Sequence, residues 1–123
     1  MSAPLSVVIP TLNAASELPM TAEALLEGVT SGMVHEMVVS DGGSVDGIEA
    51  ISRELGAVFV AGAAGRGAQI ARGVFASKAP WILILHADTR LSPGWSQAVA
   101  VHMSGAAGKA GNFRLRFDAQ GLA

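Results

Sequence analysis

Three polar clusters in this chain each follow a short apolar run. They are Pro10-Thr11-Leu12-Asn13, Ser40-Asp41-Gly42-Gly43-Ser44 and His86-Ala87-Asp88-Thr89. A fourth cluster, Gly62 to Gly67, is glycine-rich and carries Arg66. The Asp41 carboxylate can accept hydrogen bonds from a base or a sugar, while Gly42 and Gly43 let backbone approach a ligand closely. The plainer role for Asp41 is a turn former ahead of a Ser44 helix cap. His86 and Asp88 are two positions apart, so both point to one face if the strand persists that far. A single carboxylate with phosphate oxygens and waters suits Mg²⁺ or Mn²⁺. Equally, Asp88 could end a strand and His86 could be a hydrogen-bonded structural histidine. Arg66, opening a helix, could meet a diphosphate together with loop amides, because helix N-termini favour anions; a solvated loop arginine is the alternative.

The elements that must carry these clusters follow from periodicity. Val7-Val8-Ile9, stopped by Pro10, Met37-Val38-Val39, Val58-Phe59-Val60 and Ile82 to Leu85 read as buried strands. Leu18, Ala22, Leu25, Leu26 and Val29 recur at helical spacing, with Ser16 as a cap and Pro19 in the first turn. Ile48, Ile51 and Leu55 after Ser44, and Ile70, Ala71, Val74 and Phe75 after the glycine-rich loop, predict two further helices. Ser92-Pro93 predicts the start of a fourth helix reaching Met103, and Asn112 to Phe117 alternates like a half-buried strand. Apolar runs alternating with helices imply an α/β fold with a mostly parallel sheet flanked by helices. Ligands of such sheets bind outside the carboxyl ends of the strands, which is where the polar clusters fall.

Composition narrows the function classes. The 123 residues suit one domain, half of them hydrophobic and 15% charged, far from the signature of disorder. A formal charge of -2 gives no positive field for a polyanion, so nucleic acid is not an expected partner. The sequence has no cysteine, which excludes disulfides and thiolate metal sites and fits a reducing cytoplasm. No export signal is visible at the N-terminus, and the Trp81 to Leu85 run is far short of the ~20 residues of a membrane span, so no transmembrane segment is expected. The glycine loop reads G-x-x-G-x-G, does not follow the first strand and lacks G-K-[ST], against a dinucleotide-binding dehydrogenase and a P-loop NTPase. The first strand ends in Pro-Thr without acidic residues, which is unlike a phospho-acceptor receiver. No G-x-S-x-G elbow accompanies the Ser and His pairs, against a serine hydrolase.

Ser6 to Asn13 and Val39 to Gly47 resemble the opening strand and second-strand signature of family 2 glycosyltransferases. Gly65-Arg66-Gly67-Ala68-Gln69, Leu85 to Thr89 and Gly111 to Phe117 are similar to a bacterial subgroup often labelled selenodomain-associated. The resemblance runs from Leu5 to Phe117 and implies a Rossmann-like GT-A fold in which residues 1–123 form a single, partial domain lacking the C-terminal part. It implies that Pro10, Thr11, Leu12, Asn13 and Asp41 hold the base and ribose of a nucleotide-diphosphate sugar, with Gly43 and Ala87 beside them, and that Arg66 lies near the diphosphate. Asp88, with His86 at the first position of a DxD-like motif, would hold Mn²⁺ or Mg²⁺. Ala14 stands where an acidic residue is common, and Val45 and Ile48 where Thr is frequent.

The implied reaction is inverting, metal-assisted transfer of a sugar to an unknown acceptor. Such a transfer needs a base for the acceptor hydroxyl and stabilisation of the diphosphate leaving group. The catalytic base has no candidate beyond Asp118, the only late carboxylate. The alternatives are a nucleotide-sugar-binding module and an inactive fragment, both without turnover. A homodimer and peripheral attachment to the inner membrane face of the cytoplasm both remain compatible with the sequence.

Overall fold

A computed structural model describes residues 3–105. Four strands, β1 (Leu5–Thr11), β2 (Val34–Asp41), β3 (Val58–Ala61) and β4 (Trp81–Ile84), form one sheet in the order β3-β2-β1-β4. Every pairing is parallel, as the uninterrupted apolar runs predicted. The helices are α1 (Leu18–Ala24), α2 (Leu26–Thr30), α3 (Ile48–Glu54), α4 (Arg66–Ala76) and α5 (Trp95–Gly105). Asn112 to Phe117, expected as a strand, and Asp118 lie outside the described residues.

Strand alternation sorts the two faces. Leu5, Val7, Ile9 and Val39 join Leu18, Leu25, Ile48, Leu85, Leu91, Trp95 and Val99 in one buried cluster. Val8 and Ser40 turn the other way, toward α4, which packs on β1 and β2. Gly73 makes that packing possible, because a Cβ there would stand 2.4 Å from Val8 Cγ1.

Several expected boundaries moved, each for a visible reason. Pro10 does not stop β1; it sits inside the strand opposite Ser40. Leu85 N–H donates to Val8 O, so the alternate set of Val8 and Pro10 faces β4, which ends before Pro10 would need its missing N–H. The first helix is two, because the Trp95 indole takes the Ala24 carbonyl at 2.8 Å and Gly28 N–H turns to Leu25 O instead. Its N-cap is Glu17 rather than Ser16, and no side chain caps it. Ser44 does not cap α3, whose N-cap is Gly47 at φ 82°. The last helix begins at Trp95, not at Ser92-Pro93. Its first amides are covered by Glu27 of α2, whose carboxylate accepts from Gly94 N (3.0 Å), Ser96 N (2.9 Å) and Ser96 Oγ (2.6 Å). Those bonds, against an opposing contribution from burial, hold the Glu27 carboxyl below its usual value.

Candidate functional site

The sheet order reverses at β1. The chain steps from β1 to β2 to β3 on one side and returns to place β4 on the other. The carboxyl ends of β1 and β4 therefore form the switch point where open α/β sheets bind ligands. The polar clusters at Pro10 to Asn13 and His86 to Thr89 leave the sheet there, flanked by the turn after β2 and the start of α4.

Loops after β1 and β2 are built as one frame. The buried Asp41 carboxylate accepts at Oδ1 from Thr11 Oγ1 (2.7 Å) and Ser44 Oγ (2.5 Å), and at Oδ2 from the amides of Gly43 (2.9 Å) and Ser44 (2.7 Å). Burial pushes the Asp41 carboxyl up, but these hydrogen bonds together outweigh it and hold it below its usual value. Asn13 adopts φ 53°, donates its amide to Ser44 Oγ (2.7 Å) and accepts from Val45 N at Oδ1 (3.0 Å). Ala15 N–H closes the frame on Asp46 Oδ2 at 2.8 Å. The turn-forming role of Asp41 is thus realised, with Ser44 as its partner inside the turn rather than as a helix cap. Leu12, Asn13, Gly43 and Val45 are exposed along this frame, and Pro10 is half-buried.

The cluster after β4 is a turn. β4 ends at Ile84, and Thr89 N–H bonds back to His86 O at 3.0 Å, so the strand does not persist to Asp88 as the two-residue spacing supposed. His86 and Asp88 are nevertheless both exposed, while Leu85, Ala87 and Thr89 are buried. Ala87 contributes its carbonyl inward, to the Thr21 hydroxyl of α1. Arg66 Nη2 lies 2.6 Å from His86 Nε2. A guanidinium donates and has no acceptor, so Nε2 is the accepting side of this contact. That nitrogen faces Arg66 in this arrangement.

The residues fit a divalent cation in one way. Among the described residues there is no group of three or more His, Asp or Glu able to hold a metal. Of Asp41, Asp46 and Asp88, the first two carboxylates are committed to the frame, and Asp88 takes no hydrogen bond or ion pair among the described residues. One free carboxylate is the donor set of a site completed by ligand phosphates and water. An apolar cavity of ≈ 270 Å³ lies elsewhere, among Leu25, Leu26, Val29, Val34, Met37 and Leu55 on α1, α2, β2 and the end of α3.

Two residues of this region have roles that motif reading passed over. Gln69 is buried on α4 and Arg72 lies one turn further on. The available signal was a glutamine on the inward stripe of a helix, four positions before Gly73.

A parallel sheet with helices on both faces and a polar switch point defines a Rossmann-like α/β domain of the GT-A kind. The family model of glycosyl transferase family 2 matches residues 6–120, and the chain belongs to that family. Among solved structures, the chain is similar to glucosyl-3-phosphoglycerate synthase from Mycobacterium tuberculosis in complex with Mn²⁺, UDP and glucosyl-3-phosphoglycerate. The identity is 24%, the TM-score 0.67, and the match covers 77% of this chain and 37% of that one. It is also similar to mannosyl-3-phosphoglycerate synthase from Rubrobacter xylanophilus, at 22% identity and TM-score 0.68, over 80% of this chain and 35% of that one. A further mycobacterial protein matches at 22% identity and TM-score 0.73, over 86% of this chain and 38% of that one. The chain thus spans less than two-fifths of the length of these structures. No curated protein sequence matches. Among the described residues no helix is long and apolar enough to cross a membrane.

Proposed function

We propose that this chain supplies the donor half of an inverting glycosyltransferase, binding a nucleotide-diphosphate sugar at the β1/β4 switch point with Mn²⁺ or Mg²⁺. The observation that carries the reading is the exposed Asp88 carboxylate, which takes no hydrogen bond or ion pair among the described residues and lies two residues past His86, itself in contact with Arg66. Membership of family 2, and Mn²⁺ with UDP in the similar mycobacterial synthase, support the same ligand class. Asp88 would hold the cation, which when bound supplies Lewis-acid stabilisation of the diphosphate leaving group. Arg66, oriented by His86, adds a fixed positive charge for the diphosphate, and the Asn13-Ser44 frame offers the exposed Leu12, Asn13 and Gly43 to the nucleoside. Asp41 contributes by holding that frame rigid, since its acceptor positions are filled from within.

The frame also bears on turnover. With Asp41 and Asp46 committed, neither is free to take the acceptor proton, which keeps a nucleotide-sugar-binding module without turnover as the second reading. Calorimetric titration of the chain with UDP and GDP, with and without Mn²⁺, tests the donor site. Release of free sugar or transfer to an added acceptor then separates enzyme from binding module. Absence of nucleotide binding under all four conditions would refute the proposal.

A further inference from the structure

Resting on the donor-site reading, we infer that Gln69 is the positioning residue of the site. Its buried amide ties the carboxyl ends of β1 and β2 to the loop that opens α4, and so sets where Arg66 stands. Gln69 is 5% exposed. Nε2 donates to Thr11 O at 2.8 Å and to Ser40 O at 3.0 Å, and Oε1 accepts from Gly65 N at 3.1 Å. The amide orientation is fixed by this pattern, since the flipped form would set oxygen against two carbonyls and NH₂ against an N–H. The residue's own carbonyl receives Ser40 Oγ at 2.6 Å, which locks the helix turn to β2 as well.

The three backbone groups held by this one side chain are the last fixed points before the three segments of the site. Thr11 precedes Leu12 and Asn13, Ser40 precedes the Asp41 turn, and Gly65 precedes Arg66. Arg72 adds a second tie, donating from Nη2 to Asp41 O (3.0 Å) and Ala63 O (3.1 Å). The neighbouring sequence leaves room for the amide. A Cβ at Gly42 would stand 2.5 Å from Gln69 Oε1 and 3.1 Å from Ala64 Cα, so the turn after β2 must carry glycine at this position for Gln69 to seat. A loop fixed before ligand arrives loses less entropy on binding, so loosening it weakens affinity without removing any atom that touches the ligand.

The test uses the full chain, Gln69→Met, which keeps length and loses all three side-chain hydrogen bonds, and Gly42→Ala, which displaces the amide without altering it. Val99→Ala, a truncation in the α5 core, serves as a control of lowered stability. UDP affinity in Mn²⁺ is measured by calorimetry, thermal unfolding without ligand, and amide exchange over residues 62–67. Both site variants are expected to lose at least about tenfold in UDP affinity and to exchange faster over 62–67, whereas Val99→Ala melts earlier with unchanged affinity. Should Gln69→Met not fold, Gly42→Ala decides. Affinities within about twofold of the parent in the folded variants would overturn the positioning role while leaving the donor site standing. A parent chain that binds no UDP would instead overturn the donor-site reading, and this inference with it.

Discussion

Replacing Asp41 probes how the frame is held. In Asp41→Ala, the amides of Gly43 and Ser44, now bonded at 2.9 and 2.7 Å, lose their acceptor, while the hydroxyls of Thr11 and Ser44 can rotate to other partners. Two partly buried orphaned amides at about 1–2 kcal/mol each, partly offset by no longer burying a charge, give a loss of about 1–3 kcal/mol. In Asp41→Asn the carbonyl can face the two amides and the NH₂ can face the two hydroxyls, which accept as well as donate. All four contacts survive, and only charge assistance is lost, about 1 kcal/mol. The two variants also differ from the parent in acid. Because the folded carboxyl titrates below its ordinary value of 3.8, the unfolded chain binds more protons there, and stability falls as pH drops through that value toward the folded one. Asp41→Asn should therefore show a shallower loss of stability below about pH 4 than the parent. Urea melts from pH 7 to pH 3 read both quantities. An Asp41→Ala variant within about 0.5 kcal/mol of the parent, or one no weaker than Asp41→Asn, would refute the assignment of the carboxylate as the keystone of the turn.

Other outcomes follow from single contacts. Glu27→Ala should cost about 1–2 kcal/mol by uncapping α5, read by urea melts, and Glu27→Gln should flatten part of the acid loss because the Glu27 carboxyl is also held low. Gly73→Ala should destabilise by about 1–3 kcal/mol in the same assay, since its methyl would enter the space of the buried Val8 side chain.

The inner strands were legible because buried parallel strands appear as unbroken runs such as Val7-Val8-Ile9, whereas the apolar runs of β3 and β4, expected to be buried, leave Val58 and Ile84 exposed at the sheet edges. The polar clusters were legible because strand ends in such sheets are where polarity resumes. What escaped were arrangements set by distant partners. The cap of α5 comes from Glu27, 67 residues before Gly94, and no local pattern could select it over Ser92. The split between α1 and α2 depends on Trp95, 71 residues after Ala24. Pro10 stayed inside β1 because its neighbour on that side had already ended, a matter of register rather than propensity. At the site, the positions of Asp41 and His86 were legible, but not the hydrogen bonds that each makes. Asp41 bonds within its turn and His86 meets Arg66, and such partners are decided by packing between loops.

The donor site depends most directly on Asp88, and one titration tests that role. UDP binding measured with and without Mn²⁺, for the parent chain and Asp88→Ala, should show affinity that rises with the cation in the parent. Asp88→Ala should lose that dependence while melting within about 0.5 kcal/mol of the parent, because the carboxylate is exposed and takes no hydrogen bond among the described residues. Cation-dependent UDP binding that persists undiminished in Asp88→Ala would contradict the account.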